Sequence, residues 1–377
     1  KMKVFFTLFI AIFAAMLGLG IIAPFMPLYA VSMGATGLWL GIIFSAFGIS
    51  KFIFTPRIGK ISDEKGKRKI IIIGLSIYAI ISLLYIIANS VYALTIIRAL
   101  HGFASAMVVP VALAYIAERA PNREEGKYLG TFNVAFFSGI GIGPFLGGFL
   151  YDHFSIVISF FSMFLLTLFS LIFVFLFVPE KTSDKRKGSK GWYLLKEKKV
   201  QGLYIFRAFN FIGRGAIMTF LSIFAFSYGI SVGGIGILLT TNLLIMALFQ
   251  PFLGKLADRY DREKLTIIGG LTGAVPLLFI PYSTSFLLLL IINITVGFGG
   301  AIGMPSSQAL IAEVGREEGM GGAMAILDSA TSLGMILGPI ISGIVMDFMS
   351  INWVFYFGGA FGVLGTFIFL ILVRIGE

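Results

Sequence analysis

The 377 residues include no cysteine and only two histidines. Disulfides, thiolate nucleophiles and cysteine-held metals are therefore excluded, and a histidine-rich metal centre has too few ligands. Charge is also scarce. Asp, Glu, Lys and Arg together make up 12% of the chain, about half the share of a soluble globular protein. Acids are scarcer still, 18 against 29 bases. No nucleotide-binding loop and no nucleophile triad pattern occurs, which argues against an enzyme and against direct use of ATP. We expect no catalytic residue, no metal and no cofactor.

What the chain does have is long apolar runs. Hydrophobic residues make up 58%, and stretches near 20 residues recur from end to end, each long enough to cross a bilayer as a helix. Lipid offers no partner to a free backbone group, and continuous apolar runs lack the alternation of a membrane barrel. The reading is an all-α membrane protein of twelve transmembrane helices. They start near Val4, Gly37, Ile70, Val91, Tyr128, Ile156, Leu203, Gly234, Leu265, Phe286, Gly321 and Trp353. The run from Val4 to Ala30 is too long for a signal-peptide core and reads as a retained span.

The net charge of +11 does not point to nucleic acid, because the bases sit in loops. Lys65–Lys69, Arg119–Lys127, Lys181–Lys199, Arg259–Lys264 and Arg316 all fall after even-numbered spans. Basic loops stay in the cytosol, so both termini are expected there, in a multi-pass protein of the cell membrane. The polar stretch 179–200 separates an N-terminal six-helix bundle, 1–178, from a C-terminal one, 201–377.

The two halves repeat. Gly59-Lys60-Ile61-Ser62-Asp63 returns as Gly254-Lys255-Leu256-Ala257-Asp258, 195 residues later. Pro56 and Pro251, Ala117-Glu118 and Ala312-Glu313, Gly143-Pro144 and Gly338-Pro339, and Asp152 and Asp347 keep the same offset. A constant offset over so many positions argues for internal duplication and two pseudo-symmetric bundles.

On these residues the chain resembles the major facilitator superfamily. Gly59, Asp63, Gly66, Lys67 and Arg68 fit its first signature. The second copy keeps Gly254, Asp258 and Arg262 but has Asp261 where glycine is usual. Gly130, Gly139, Gly143, Pro144, Gly147 and Gly148 are similar to the antiporter signature of the drug:proton antiporters. Leu17-Gly18 with Pro24-Phe25-Met26-Pro27 resembles a second motif of that branch. Arg98 and Gly102 resemble a third, with His101 in place of the usual glutamine. The resemblance implies a secondary active transporter working by alternating access, with the signature loops as conformational latches. It implies proton-coupled efflux of amphipathic small molecules. The partners are then a small-molecule substrate, protons and the lipid bilayer. The alternative is a transporter of organic anions or lipid-like anionic amphiphiles. Nothing signals an oligomer, and a monomer is expected.

Ionisable residues at bilayer depth are costly and usually functional. Inside the spans the bases are Lys51, Arg98, Arg207 and Arg214, and Asp328 is the acid that falls well inside a span. Arg98, His101 and Ser105 share a face of span four; Arg207, Asn210 and Arg214 share a face of span seven. The family fold puts both stripes on a central cavity, so Arg98, Arg207, Asn210 and Arg214 are candidate substrate-cavity residues. It also packs span two against span eleven, which makes Lys51 and Asp328 a candidate ion pair and, with His101, candidates for proton coupling. The orientation is open to direct test, since the chain carries no cysteine of its own. In Ser90→Cys the thiol should react with an impermeant maleimide from outside, and in Ser189→Cys only from inside. Labelling of both from one side would overturn the topology.

Overall fold

The computed structural model describes residues 2–119, 125–180, 192–257, 260–318 and 320–376. Of these, 2–4, 117–119, 125–131, 192–193, 251, 254–257, 315–318, 320–322 and 376 are described by backbone course alone. Among the described residues there is no strand. Twelve helical spans are long and apolar enough to cross a membrane.

The first span is two helices, α1 (Met2–Ile21) and α2 (Met26–Ser32), broken at the turn that contains Pro24. Proline has no N–H to continue the ladder, whereas Pro27 is tolerated in the first turn of α2. The other spans of the first half are α3 (Gly37–Lys65), α4 (Lys67–Ile87), α5 (Val91–Arg119), α6 (Glu125–His153) and α7 (Ile156–Phe177). The second half has α8 (Lys198–Ser227), α9 (Val232–Ala257), α10 (Arg262–Ala274), α11 (Phe286–Glu318), α12 (Met320–Phe348) and α13 (Ile351–Gly376). Span nine ends in a 3-10 stretch, Val275–Tyr282, where Pro276 and Pro281 interrupt α-helical bonding. Helix α8 begins at Lys198, earlier than its apolar run near Leu203, because backbone bonding continues into the interface where Lys198 and Lys199 reach water.

The duplication extends to backbone detail. Gly34 has φ +85° and Gly229, 195 residues on, has φ +78°. Each closes a helix in the same way. The Gly34 amide donates to Val31 O and the Ala35 amide to Ala30 O; the Gly229 amide donates to Phe226 O and the Ile230 amide to Ala225 O. Only a residue free to adopt positive φ makes this cap at no steric cost.

Contacts divide the chain into two compact units that are not simply its two halves. The first holds 1–35, 46–186 and 231–240; the second holds 36–45, 187–230 and 241–377. In the first unit α1 packs on α6 and α7, and α4 packs on α5 and α7. In the second α8 packs on α12 and α13, and α10 on α11. Leu203, Phe206, Ile311, Leu327 and Phe369 form part of that unit's buried core. Large apolar side chains also stand exposed, among them Ile80, Ile96, Phe169, Leu248 and Phe367. That is the pattern of a surface whose solvent is lipid.

Glycines set the closest helix crossings. A Cβ at Gly139 would lie 2.6 Å from Phe13 O, and one at Gly143 would lie 2.5 Å from Gly20 Cα. One at Gly147 would run into the Ile21 carbonyl. The four-residue spacing thus lets α6 lie backbone to backbone on α1. Its echo lets α12 lie on α8, where Gly338 abuts Ile212. Gly59, by contrast, has open space around it. Gly147→Val should therefore lower the thermal midpoint of the purified protein, an overpacking cost of roughly 1–3 kcal/mol. Gly59→Ala should leave the midpoint unchanged or raise it, since alanine in a helix adds up to about 1 kcal/mol of stability. Equal destabilisation by both would refute this account.

Candidate functional site

The expected site residues fall into four places. The first is a buried aromatic box in the first unit. Arg98, His101 and Ser105 project from one face of α5, and His101 is fully buried. Its Nδ1 shares a 3.0 Å hydrogen bond with the Tyr85 hydroxyl. Its ring stands edge-on to Tyr78, with centroids 4.6 Å apart, and to Phe47 at 5.5 Å. The Arg98 guanidinium lies 4.9 Å from the centre of the Phe47 ring and within reach of the Tyr85 hydroxyl. Nε2 of His101 meets no partner among the described residues. Sequence reasoning missed Tyr78 and Tyr85, although their spacing of seven puts both on one face of α4.

The second place is a cavity in the second unit. Arg207, Asn210 and Arg214 come together on α8 and line a void of about 40 Å3 bounded also by α10, α11 and α13. Both guanidinium carbons lie 5.7 Å from the Phe211 ring centre. Arg214 Nη1 donates to Met246 Sδ at 3.1 Å, and Met304 Sδ lies 4.0 Å away. Asn210 is occupied with its own helix, donating to Phe206 O at 3.0 Å. The room comes from glycines, including Gly273, Gly299 and Gly300. Asp328 stands exposed on α12, and its charge acts on Arg207. Lys51 is half-buried on α3 and belongs to the first unit.

The third place is the pair of signature loops. Lys67 is buried and pairs with Asp63 at 2.6 Å. Arg68 donates to Phe175 O at 2.6 Å and lies over the Phe175 ring. Between them Gly66 has φ +95°, and the Glu180 carboxylate packs where a Cβ would be. The second loop is built differently. Asp261 has φ −58° and caps α10, accepting from the Glu263 and Lys264 amides at 3.0 and 3.2 Å. Its position needs no glycine, which accounts for the departure from the usual residue. The Lys264 amide, first among several donors, holds the Asp261 carboxyl below the usual carboxylate range. The cap's contribution is therefore fully present above the usual carboxylate range and is lost as the pH falls through the lowered value of the folded state. Arg262 ion-pairs with Glu313, and Lys199 with Glu263 at 2.7 Å. Gly130 and Gly254 are described by backbone course alone, and Asp258 lies outside the described residues.

The fourth place sits at the ends of the spans. Pro144, Gly147 and Gly148 are on the last turns of α6. Gly148 abuts Val232 at the start of α9, and Asp152 accepts from the Gly233 amide at 2.7 Å. In the second unit Asp347, at the end of α12, accepts from the Gly37 and Leu38 amides at 2.6 and 2.8 Å. Each carboxylate meets free N–H groups at the start of a helix, where the dipole favours negative charge. Sequence reasoning paired Asp152 with Asp347 but assigned them no task. Their fall at span ends, opposite a helix start in each repeat, was the available signal.

Twelve spanning helices, an internal duplication and buried polar stripes inside each unit define a polytopic membrane transporter rather than an enzyme. The Major Facilitator Superfamily model matches residues 8–209 and 203–377, and the chain belongs to that superfamily. It is 30% identical over 367 residues to an uncharacterized MFS-type transporter of Methanocaldococcus jannaschii, covering 95% of each chain. It is 27% identical over 376 residues to Multidrug resistance protein 2 of Bacillus subtilis, covering 96% of this chain and 93% of that one. Its backbone is similar to the solved nucleoside transporter NupG, with TM-score 0.84, 16% identity and 99% of both chains covered. The fold is the major facilitator fold, two pseudo-symmetric six-helix bundles.

The two signature loops give a direct comparison. Gly66→Asp should destabilise the protein, because positive φ costs a side chain about 1–2 kcal/mol and Glu180 occupies the space. Asp261→Gly should cost only a few tenths of a kcal/mol, as glycine is a fair N-cap. Thermal unfolding of the two variants checks the order; a reversed order would refute the assignment of the two loops.

Proposed function

We propose that the protein is a proton-coupled exporter of amphipathic small molecules, working by alternating access in the cell membrane with both termini in the cytosol. The name of the Bacillus subtilis relative, with coverage of nearly the whole chain, supports the substrate class. The glycine face of α6 on α1 supports kinship with the antiporter branch. The observation that carries the coupling is Asp328, an exposed acid at bilayer depth whose charge acts on a buried guanidinium.

Asp328 lies eight residues inside the start of α12, roughly 12 Å from that helix end at 1.5 Å per residue. Lys51 lies fourteen residues before the last residue of α3, roughly 21 Å from that helix end on the same scale. In this reading the two form an ion pair that holds the cytosolic side closed, and a proton on Asp328 releases it. His101, held against Tyr85, is the second group assigned to proton coupling in this reading. Arg98, Arg207, Asn210 and Arg214 then set the polarity met by substrate. The signature loops, Asp63 with Lys67 and Arg262 with Glu313, steady the cytosolic ends.

A second reading, export of organic anions, is favoured by one observation. Two guanidiniums, that of buried Arg207 and that of half-buried Arg214, share a cavity lined by no acidic side chain among the described residues.

Asp328→Asn mimics the protonated carboxyl. It should abolish proton-driven transport in liposomes while substrate binding persists, and shift the protein towards inward-open conformations. Undiminished proton-driven transport by Asp328→Asn would sink the coupling role. Stimulation of proton movement by anionic but not by cationic or neutral amphiphiles would decide for the second reading.

A further inference from the structure

We propose that the cavity between Arg207 and Arg214 holds a small univalent anion of halide size, as a resident counter-charge inside the second unit. The inference stands apart from the transport reading and rests on charge, unsatisfied donors and volume.

Charge comes first. Arg207 is 3% exposed, and a buried cation is tolerated only when it is paired. The cavity brings two guanidiniums together, and its described lining is otherwise apolar or neutral. Among the described residues the acid whose charge acts on Arg207 is Asp328, which stands exposed on α12. Two positive charges against one negative leave a deficit of one.

The donors point the same way. Nε of Arg207 and Nη2 of Arg214 are buried and meet no acceptor among the described residues. Arg214 Nη1 is directed at the thioether sulfurs of Met246 and Met304, which are weak acceptors. Phe211 offers a ring face to both guanidiniums but accepts no N–H in its plane. Water alone would satisfy donors without correcting the charge; an anion does both, through charge-assisted hydrogen bonds.

Volume decides the size. A water needs about 10–15 Å3 of such space, and the cavity offers about 40 Å3. That admits one halide with a water beside it. The space is held open by the lack of a side chain at Gly300, where a Cβ would sit 2.7 Å from Arg214 Nη2. The same chemistry would accept the carboxylate of a larger molecule entering from outside the cavity, and the experiment separates the two sources.

The test uses the full chain purified in detergent, with no proton gradient and no substrate. Thermal midpoints are measured while sodium gluconate is exchanged for chloride, bromide or benzoate at constant ionic strength, and bound radioactive chloride is counted by equilibrium dialysis. Chloride and bromide should raise the midpoint saturably, with about one chloride bound per chain. Arg214→Gln should weaken chloride binding roughly tenfold or more, the loss expected for a charged hydrogen-bond donor. Gly300→Ala, which keeps both charges but narrows the space, should weaken it too. If either variant fails to fold, the counted chloride on the unaltered chain still decides the matter. Equal midpoints in gluconate and chloride with no chloride retained would overturn the proposal. So would stabilisation by benzoate alone, which would make the site a seat for a substrate carboxylate. A chloride effect that survives both Arg207→Gln and Arg214→Gln would place the ion elsewhere and would also overturn it.

Discussion

Lipid supplies no hydrogen-bond partner and little hydrophobic drive between helices, so the spans must hold one another by close approach. In this chain that approach is made by bare backbone. Along Gly139, Gly143 and Gly147 the main chain of α6 lies on the main chain of α1, and along Gly334 and Gly338 α12 lies on α8. Pro144 and Pro339 sit within these stretches and remove a backbone donor from each helix. A motif that names a transport branch is, in physical terms, a pair of helix contacts with no side chains between them.

With the apolar packing arranged this way, the few charges are left to discriminate. In the first unit Arg98 and His101 are enclosed by Phe47, Tyr78 and Tyr85. In the second, Arg207 and Arg214 share Phe211 and a void made by glycines. The two stripes lie on spans that the 195-residue offset does not relate: Arg98 on span four answers to Asn293 on span ten, and Arg207 on span seven to Ile12 on span one. One meets a tyrosine hydroxyl and aromatic faces; the other meets thioether sulfur and the Phe211 ring. The duplication conserves the scaffold and frees the polar residues to diverge.

How much of this the sequence carried depends on range. The twelve spans follow from runs of apolar residues, a local property, and their starts fall within a few residues of those expected. The 195-residue offset was visible because prolines, glycines and acids mark it. The helix closures at Gly34 and Gly229 obey the same offset, but nothing in composition separates a closing glycine from the many others. Asp261 looked like a defect in the signature, and only its φ and its two amide donors reveal a cap. The stripe Arg207, Asn210, Arg214 was legible from helical spacing. The void it lines was not, because Gly273, Gly299 and Gly300 come from two other helices. Tyr85 reaches His101 from 16 residues away, on a neighbouring helix.

The cap that Asp347 places on α3 has a consequence in time. Its oxygens bond amides 310 and 309 positions earlier in the chain. Synthesis runs from the N-terminus at about 5–20 residues per second. The start of span two therefore sits in the membrane for many seconds before its capping carboxylate exists. Asp152, by contrast, is made before the Gly233 amide that it accepts from. Although the two caps are related by duplication, one helix start waits for its carboxylate and the other carboxylate waits for its helix. During biogenesis the nascent chain must keep the start of α3 at the water interface until almost the whole protein has been made.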